Sequence, residues 1–576
     1  MKPAFHLLIA SVQLTCLLTF FEMGLAVAQV AKRPNIVWIV CEDIGPYIGA
    51  YGYKGVKTPT IDQLAREGEL YTKAYTTAGV CAPSRSSLIT GMYQTSIGTM
   101  HMRTLNEDNP KNSPLPSYSA VIPPYVKCFP EYLRLAGYYT TNNEKQDYQF
   151  EPPVTVWDEN SAAASWRNRA PNQPFFSIIN LAITHEMNLF AREKEPLTVD
   201  PKVVDVPAYY NKTETAAKAM ARQLTNIERM DGQVGEIIAR LKEDGLYDNT
   251  WIMFYSDHGG ALPWMKRELL ERGTHIPFIV KYPKGENAGR VNNNLISGVD
   301  FAPTVLSIAG VPIPQYMQGQ AFLGDQKSAH SRKYIYFARD RMATQYDRVR
   351  AVSDGRFKYL YNYMPDVLYY QDLNFRKSIP LMKEILTMKE SGTLNPLMMR
   401  WFDTKPVEEL YDTEADPDEF KNLANDPHYA NNLNEMRAAF AAWRSMTVDM
   451  GATPEKEMLT NWWNGQNEPP QTATIMVIRM EKGIKLHCDT EGASIGYQIV
   501  KNGQKTDKPA HKIFSYDFAS IGGRVGKNGD EFLSERPWTI YSPGQPIALS
   551  KGDTLVVKAK RIGYEESTLS YIEGVN

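Results

Sequence analysis

Pro34-Asn35-Ile36-Val37-Trp38-Ile39-Val40-Cys41-Glu42-Asp43 is the stretch from which the fold can be read. Five consecutive apolar residues, four of them β-branched around Trp38, describe a short strand buried on both faces. A pair of carboxylates closes it. Three more runs of this kind follow: Phe175–Leu181, Trp251–Tyr255 and Pro277–Lys281. Between the second and third, Ile227, Met230, Val234, Ile237, Ile238 and Leu241 recur at helical steps and form one apolar stripe. Buried strands alternating with amphipathic helices predict an α/β fold with a mostly parallel central sheet sandwiched by helices. The first run ends at Glu42-Asp43, the second leads to His185, and the third ends at Ser256-Asp257-His258. Ligands of open parallel sheets bind beyond the carboxyl ends of the strands. The candidate site therefore lies where these carboxylates and histidines meet.

A second stretch, Cys81-Ala82-Pro83-Ser84-Arg85-Ser86-Ser87-Leu88-Ile89-Thr90-Gly91, predicts a helix start. Pro83 suits a first turn, where its missing N–H is no loss, and the serines favour the same place. Cys81 then stands at a helix N-terminus, where free N–H groups and the positive dipole end favour an anion. Arg85 adds a permanent cation with a planar fork of donors.

The chain has 576 residues, a 43% hydrophobic content and a formal net charge of −2. That length accommodates a large domain and a smaller one. The near-zero charge gives no basis for nucleic-acid binding or bulk attraction to a membrane. Lys2, the apolar stretch Leu7–Phe21 and Ala26-Val27-Ala28 read as a signal peptide over 1–28, too short for stable membrane insertion. The expectation is an exported protein, periplasmic or secreted. Cys41, Cys81, Cys128 and Cys488 remain beyond it and make no disulfide framework.

Residues 29–450 read as the catalytic domain. Residues 451–473, with Pro454, Gly465 and Pro469-Pro470 and little periodicity, read as a linker. Residues 474–576 carry short alternating runs and predict a small all-β domain, a β-sandwich. It resembles the small β domain at the C-terminus of some hexosaminidases and other exported glycan-active enzymes. A structural cap and a glycan-binding module are equal readings of it.

With these residues in hand, the region 33–426 resembles a sulfatase of the alkaline phosphatase superfamily. The resemblance rests on the opening strand, the Cys81 motif, Ser256-Asp257-His258-Gly259, and the closing Glu409-Leu410-Tyr411-Asp412…Asn422-Leu423. It implies that a formylglycine-generating maturation enzyme oxidises Cys81 to 3-oxoalanine, the aldehyde formylglycine. A hydroxyl of the hydrated aldehyde is then the nucleophile. It also implies one divalent cation, usually calcium, held by Glu42, Asp43, Asp257 and His258. Oxygen donors at strand ends suit calcium, and His258 is the least natural partner in the set. The catalytic residues matched are Cys81, Arg85, Lys145, His185 and Lys266. The family's His after the matched Lys145 is replaced by Asp147, which leaves the base for sulfate release open.

His101, Arg103, Asp147 and Arg341 are the candidate substrate contacts. Asn142-Asn143-x-Lys145-x-Asp147-Tyr148 and His101-Met102-Arg103 resemble bacterial enzymes grouped with heparan N-sulfatases (N-sulfoglucosamine sulfohydrolases). The expected substrate is a sulfated glycan, as O-sulfate or N-sulfate, with a glycosaminoglycan favoured. Two alternatives are a phosphonate or phosphate monoester hydrolase of the same superfamily, and an inactive glycan-binding homologue.

Overall fold

In the computed structural model the opening run forms β1 (Asn35–Cys41), in the interior of a nine-stranded sheet. The structure describes residues 33–105, 115–502, 510–514, 531–535 and 537–574. The segment 1–28 read as a signal lies outside them. The remaining strands of the sheet are β2 (Glu69–Tyr75), β3 (Tyr139–Asn143), β4 (Glu159–Asn160), β5 (Phe175–Leu181), β6 (Thr250–Ser256), β7 (His275–Lys281), β8 (Arg290–Asn292) and β9 (Ile296–Ser297). Their order is β4-β3-β5-β1-β6-β7-β2-β8, with β9 also on β2. β1 pairs in parallel with β5 and β6, placing Trp38 between Ile178 and Met253. β7 alone among these runs is antiparallel to both neighbours. The sheet is thus mostly parallel, as the apolar runs predict.

Side chains of β1 alternate between two cores. Ile36, Trp38 and Val40 pack on one face with residues of α2 (Cys81–Thr90), α3 (Phe129–Leu135) and α5 (Phe301–Ile308). Val37, Ile39 and Cys41 pack on the other with α1 (Pro59–Glu67) and α4 (Glu214–Glu243). The stripe from Ile227 to Leu241 is the buried face of α4. A strand with every residue buried needs helices on both sides, and it has them.

A second, antiparallel sheet runs β10 (Ile335–Arg339), β11 (Val349–Ser353), β12 (Phe357–Asn362), β13 (Glu408–Asp412). α6 (Ala430–Met446) covers it through Leu433, Met436, Phe440 and Trp443.

The interval 451–473, which reads as a linker, is partly helical. It contains α7 (Glu455–Trp462), whose first residue is buried and bound to Arg341. Leu459 and Trp463 pack with Tyr118. The helix forms because tertiary contacts hold it, not because its sequence is periodic. Beyond it lie antiparallel sheets. β14 (Met476–Met480) pairs with β15 (Gly483–His487). β16 (Ser494–Val500) belongs to a four-stranded sheet. β17 (Ala510–Phe514) pairs with β18 (Glu531–Glu535). β19 (Thr539–Ile540), β20 (Thr554–Lys560) and β21 (Ser570–Glu573) complete the sheet of β16, in the order β19-β16-β20-β21. This region docks on the main body through Ile562, which packs in the core of Trp38, and through polar ties. The Lys127 ammonium donates to the carbonyl of Gly492 at 2.6 Å, and Lys560 pairs with Glu151 at 2.7 Å. The four cysteines Cys41, Cys81, Cys128 and Cys488 are free thiols. Among the described residues, no helix is long and apolar enough to cross a membrane.

Candidate active site

Cys81 opens α2 and is fully buried. The parallel ladder brings the ends of β1 and β6 together, and the Asp257 N–H continues it to the carbonyl of Cys41 at 3.1 Å. Glu42, Asp43, Asp257 and His258 are therefore neighbours, each no more than 1% exposed. Asp43 adopts φ +57°, a left-handed conformation that Asp tolerates better than most residues. That turn directs its carboxylate into the cluster. The Ser84 hydroxyl donates to the carbonyl of Asp257 at 2.6 Å, tying the start of α2 to the end of β6. The Cys81 thiol lies against Asp147 and His258.

Two overlapping groups, Glu42-Asp43-His185 and Asp43-Asp257-His258, each bring their donor atoms within 4.8 Å of one another. His258 Nε2 is 2.9 Å from Asp43 Oδ1. Yet His258 Nε2, Asp43 Oδ1 and Glu42 Oε1 are buried without a hydrogen-bond partner. Orphaned buried carboxylate oxygens are costly, and a hard cation among them satisfies all at once. His258 turns Nδ1 to the carbonyl of Gly259 at 3.0 Å, which frees Nε2 for the cluster. Burial disfavours its charge, but Asp257 and Asp43 push it up to about 10. The donor set thus attracts positive charge and fits a divalent ion.

Four cations surround the cluster. Arg85 donates to Asp257 at 2.9 Å and to the side-chain oxygen of Asn180 at 2.7 Å. Lys145 pairs with Glu42 at 2.7 Å, and Lys266 with Asp43 at 2.6 Å. Burial raises the Asp43 carboxyl, yet Lys266, His185 and His258 hold it well below the usual range. The fourth, Arg267, forks onto Glu186, which also pairs with Lys266 at 3.1 Å. His185 Nε2 is 3.9 Å from Glu42. Its Nδ1 accepts the Met187 N–H at 3.2 Å, so the neutral ring carries its proton on Nε2. Burial, then Lys266, lowers its pKa.

A cavity of about 490 Å³ opens here, lined by Glu42, Arg103, Lys145, Asp147, His185 and Arg192 among others. Of the four candidate substrate contacts, Arg103 and Asp147 line it. His101 and Arg341 do not. Arg341 is 2% exposed and forks onto Glu455 with two bonds of 2.5 Å. It also donates to the carbonyl of Met102 at 3.2 Å. Its donors are spent inside the framework, on Glu455 and on the carbonyls of Met102 and Ala343. His101 is buried, with burial holding its pKa down to about 4 and both ring nitrogens unpartnered. Asp147 is paired with the cations beside it. Burial raises it, but Arg103 at 3.2 Å and Lys145 at 3.8 Å hold it well below the carboxylate range. It pairs with two cations that line the cavity.

Sequence reasoning passed over Asn180 and Glu186. Asn180 is a polar residue within the buried β5, which was a usable signal. Its amide donates to Asn142 Oδ1 at 3.0 Å while its oxygen receives Arg85. Glu186 directly follows His185, but nothing local reveals that it clamps Lys266.

The comparisons agree with this geometry. The sulfatase family model matches residues 34–311, and the model described as N-sulphoglucosamine sulphohydrolase, C-terminal, matches 260–395. An ulvan-active sulfatase of Formosa agariphila is 42% identical over 94% of this chain and 91% of its own length. The N-sulphoglucosamine sulphohydrolase of Homo sapiens is 26% identical over 73% of this chain and 91% of its own. A solved structure in complex with its substrate D-glucosamine-2-N,6-O-disulfate aligns with TM-score 0.52 and 20% identity, over 72% of this chain and 98% of that one. That last likeness is one of fold. The chain belongs to the sulfatase family and is a sulfuric ester hydrolase.

Proposed function

We propose that this sulfatase removes sulfate groups from an anionic polysaccharide of the ulvan type, using formylglycine made from Cys81 and one calcium ion. The observation that carries the reading is Cys81 at a helix N-terminus against a buried acidic cluster in which Glu42 Oε1 and Asp43 Oδ1 lack hydrogen-bond partners. The ulvan preference, in place of the glycosaminoglycan favoured by sequence, rests on the relative that matches 94% of the chain. So long a match leaves too few residues to omit the C-terminal β region.

Glu42, Asp43, Asp257 and His258 would hold the cation, and residue 81 the aldehyde. When bound, these supply a hydrated-aldehyde oxygen as nucleophile and charge neutralisation for the sulfate. Arg85, braced by Asp257 and Asn180, keeps the start of α2 against the acidic cluster. Lys145 and Lys266 present ammonium groups to the sulfate oxygens, and electrostatics of this kind contribute most where water is excluded. The His185 Nε2–H is the donor for the departing oxygen or nitrogen. We extend the proposal to export of the chain, to its maturation by a formylglycine-generating enzyme, and to residues 474–576 as a docked β domain.

The test is a desulfation panel with peptide mass analysis across residue 81. Sulfate release from ulvan oligosaccharides should exceed release from N-sulfated heparan fragments and phosphonate release from an aryl phosphonate. The residue-81 peptide should carry the aldehyde. An unmodified cysteine in active enzyme, or phosphonate turnover above all sulfate turnover, would defeat the reading.

A further inference from the structure

A large apolar ring stands uncovered beside His185, a residue of the pocket wall. Phe375 is 43% exposed. Two residues earlier, Leu373 is buried in a small apolar cluster with Val80, Cys81 and Ala82, so this loop lies over the start of α2. The Phe375 ring sits 6.3 Å from the His185 ring, centroid to centroid. Phe190 braces it edge-to-face at 5.6 Å. Met187, 45% exposed and between His185 and Phe190 in sequence, belongs to the pocket wall. Single exposed apolar residues are ordinary. A ring fixed against another ring, beside the proton donor of the site, is a different case.

The pocket volume of about 490 Å³ exceeds what a lone sulfate needs and falls in the range that encloses a ligand of a few rings. Arg103, Lys145 and Arg192 line the same space and favour an anionic occupant. A pyranose has an apolar C–H face that matches an aromatic ring, while its rim carries hydroxyls and charges.

We propose that Phe375, held by Phe190, is a stacking platform for the pyranose ring adjoining the sulfated one. The enzyme is thereby selective for sulfated oligosaccharides over sulfated monosaccharides. Continuity with the pocket and its cationic lining select this occupant. The inference rests on the sulfated-glycan reading of the pocket.

Phe375→Ala and Phe375→Trp are compared with the parent enzyme on a sulfated ulvan tetrasaccharide and a sulfated monosaccharide. Phe375→Ala should lower kcat/KM for the tetrasaccharide roughly ten-fold, mostly through KM, and change the monosaccharide by less than about two-fold. Phe375→Trp should return the tetrasaccharide value to within about three-fold of the parent. Equal losses on both substrates, an unchanged tetrasaccharide value, or no rescue by Trp overturns the platform. Calorimetric titration of the tetrasaccharide into Cys81→Ser protein, with and without Phe375→Ala, gives a readout independent of turnover. If the parent desulfates neither sugar, the reading of the pocket fails, and the titration still decides the platform. A roughly ten-fold weaker Kd with Ala supports it. Unchanged binding, or none, overturns it.

Discussion

Glu455→Ala should unfold the enzyme at markedly lower temperature without acting through the chemistry of the site. The carboxylate is fully buried, and its partner Arg341 is 2% exposed. It accepts two guanidinium N–H groups at 2.5 Å, the Tyr346 hydroxyl at 3.0 Å, and the Tyr118 hydroxyl. Truncation leaves a cation in the interior with its fork unpaired. Removing one partner of a buried pair costs about 3–5 kcal/mol. Domains of 150–250 residues lose roughly 2–4 °C per kcal/mol, and a larger unit loses less, so a fall of about 5–10 °C is expected. The double replacement Arg341→Met with Glu455→Met should be much milder, because no charge is stranded. Differential scanning calorimetry measures the series, and KM on ulvan oligosaccharides accompanies it. A Glu455→Ala enzyme that melts like the parent yet shows a raised KM would refute the reasoning and return Arg341 to the substrate.

Four further predictions concern the site and its supports. Removing divalent ions with a chelator should abolish turnover, and calcium at a hundred times its Kd should restore it with about 2.7 kcal/mol of stabilisation. Asp43→Asn, which keeps the φ of +57° accessible but removes the charge, should erase that calcium-dependent shift in melting temperature. Asn180→Leu should cut kcat about 10–100-fold with a much smaller change in KM, since it unseats Arg85 without touching substrate; an equal change in KM counts against a positioning role. His101 gives a pH test. Its folded pKa of about 4 lies below the unfolded value near 6.5, so the unfolded chain binds the extra proton. Stability is complete above about pH 6.5 and declines by about 3 kcal/mol as pH falls toward 4. His101→Gln should flatten that acid limb in urea titrations, and an unchanged limb contradicts the assignment.

Much of the site was legible because its signals are local. The run Ile36–Val40 needs only its own composition to declare a doubly buried strand, and the carboxylates that follow it must then lie at a sheet edge. The Cys81 stretch carries its helix start in Pro83 and three serines. What stayed hidden depended on partners far along the chain. Arg341 and Arg85 are alike in sequence, each a cation among polar neighbours. One is consumed by Glu455, 114 residues away, and the other is aimed into the acidic cluster by Asn180, 95 residues away. α7 was invisible for the same reason, since Glu455 and Leu459 are held by contacts with Arg341 and Tyr118 rather than by periodicity.

The chain's order of residues therefore determined, unaided, the alternation of strand and helix, the helix start at Cys81, and the four cluster residues Glu42, Asp43, Asp257 and His258. Tertiary structure decided which cations face that cluster, that β7 runs against its neighbours, that Asp147 pairs with Arg103 and Lys145, and that Phe375 stands bare beside His185. Backbone preference and apolar period act over a few residues. Ion pairing, burial and exposure are settled only when distant segments come within a few ångströms and water is expelled between them.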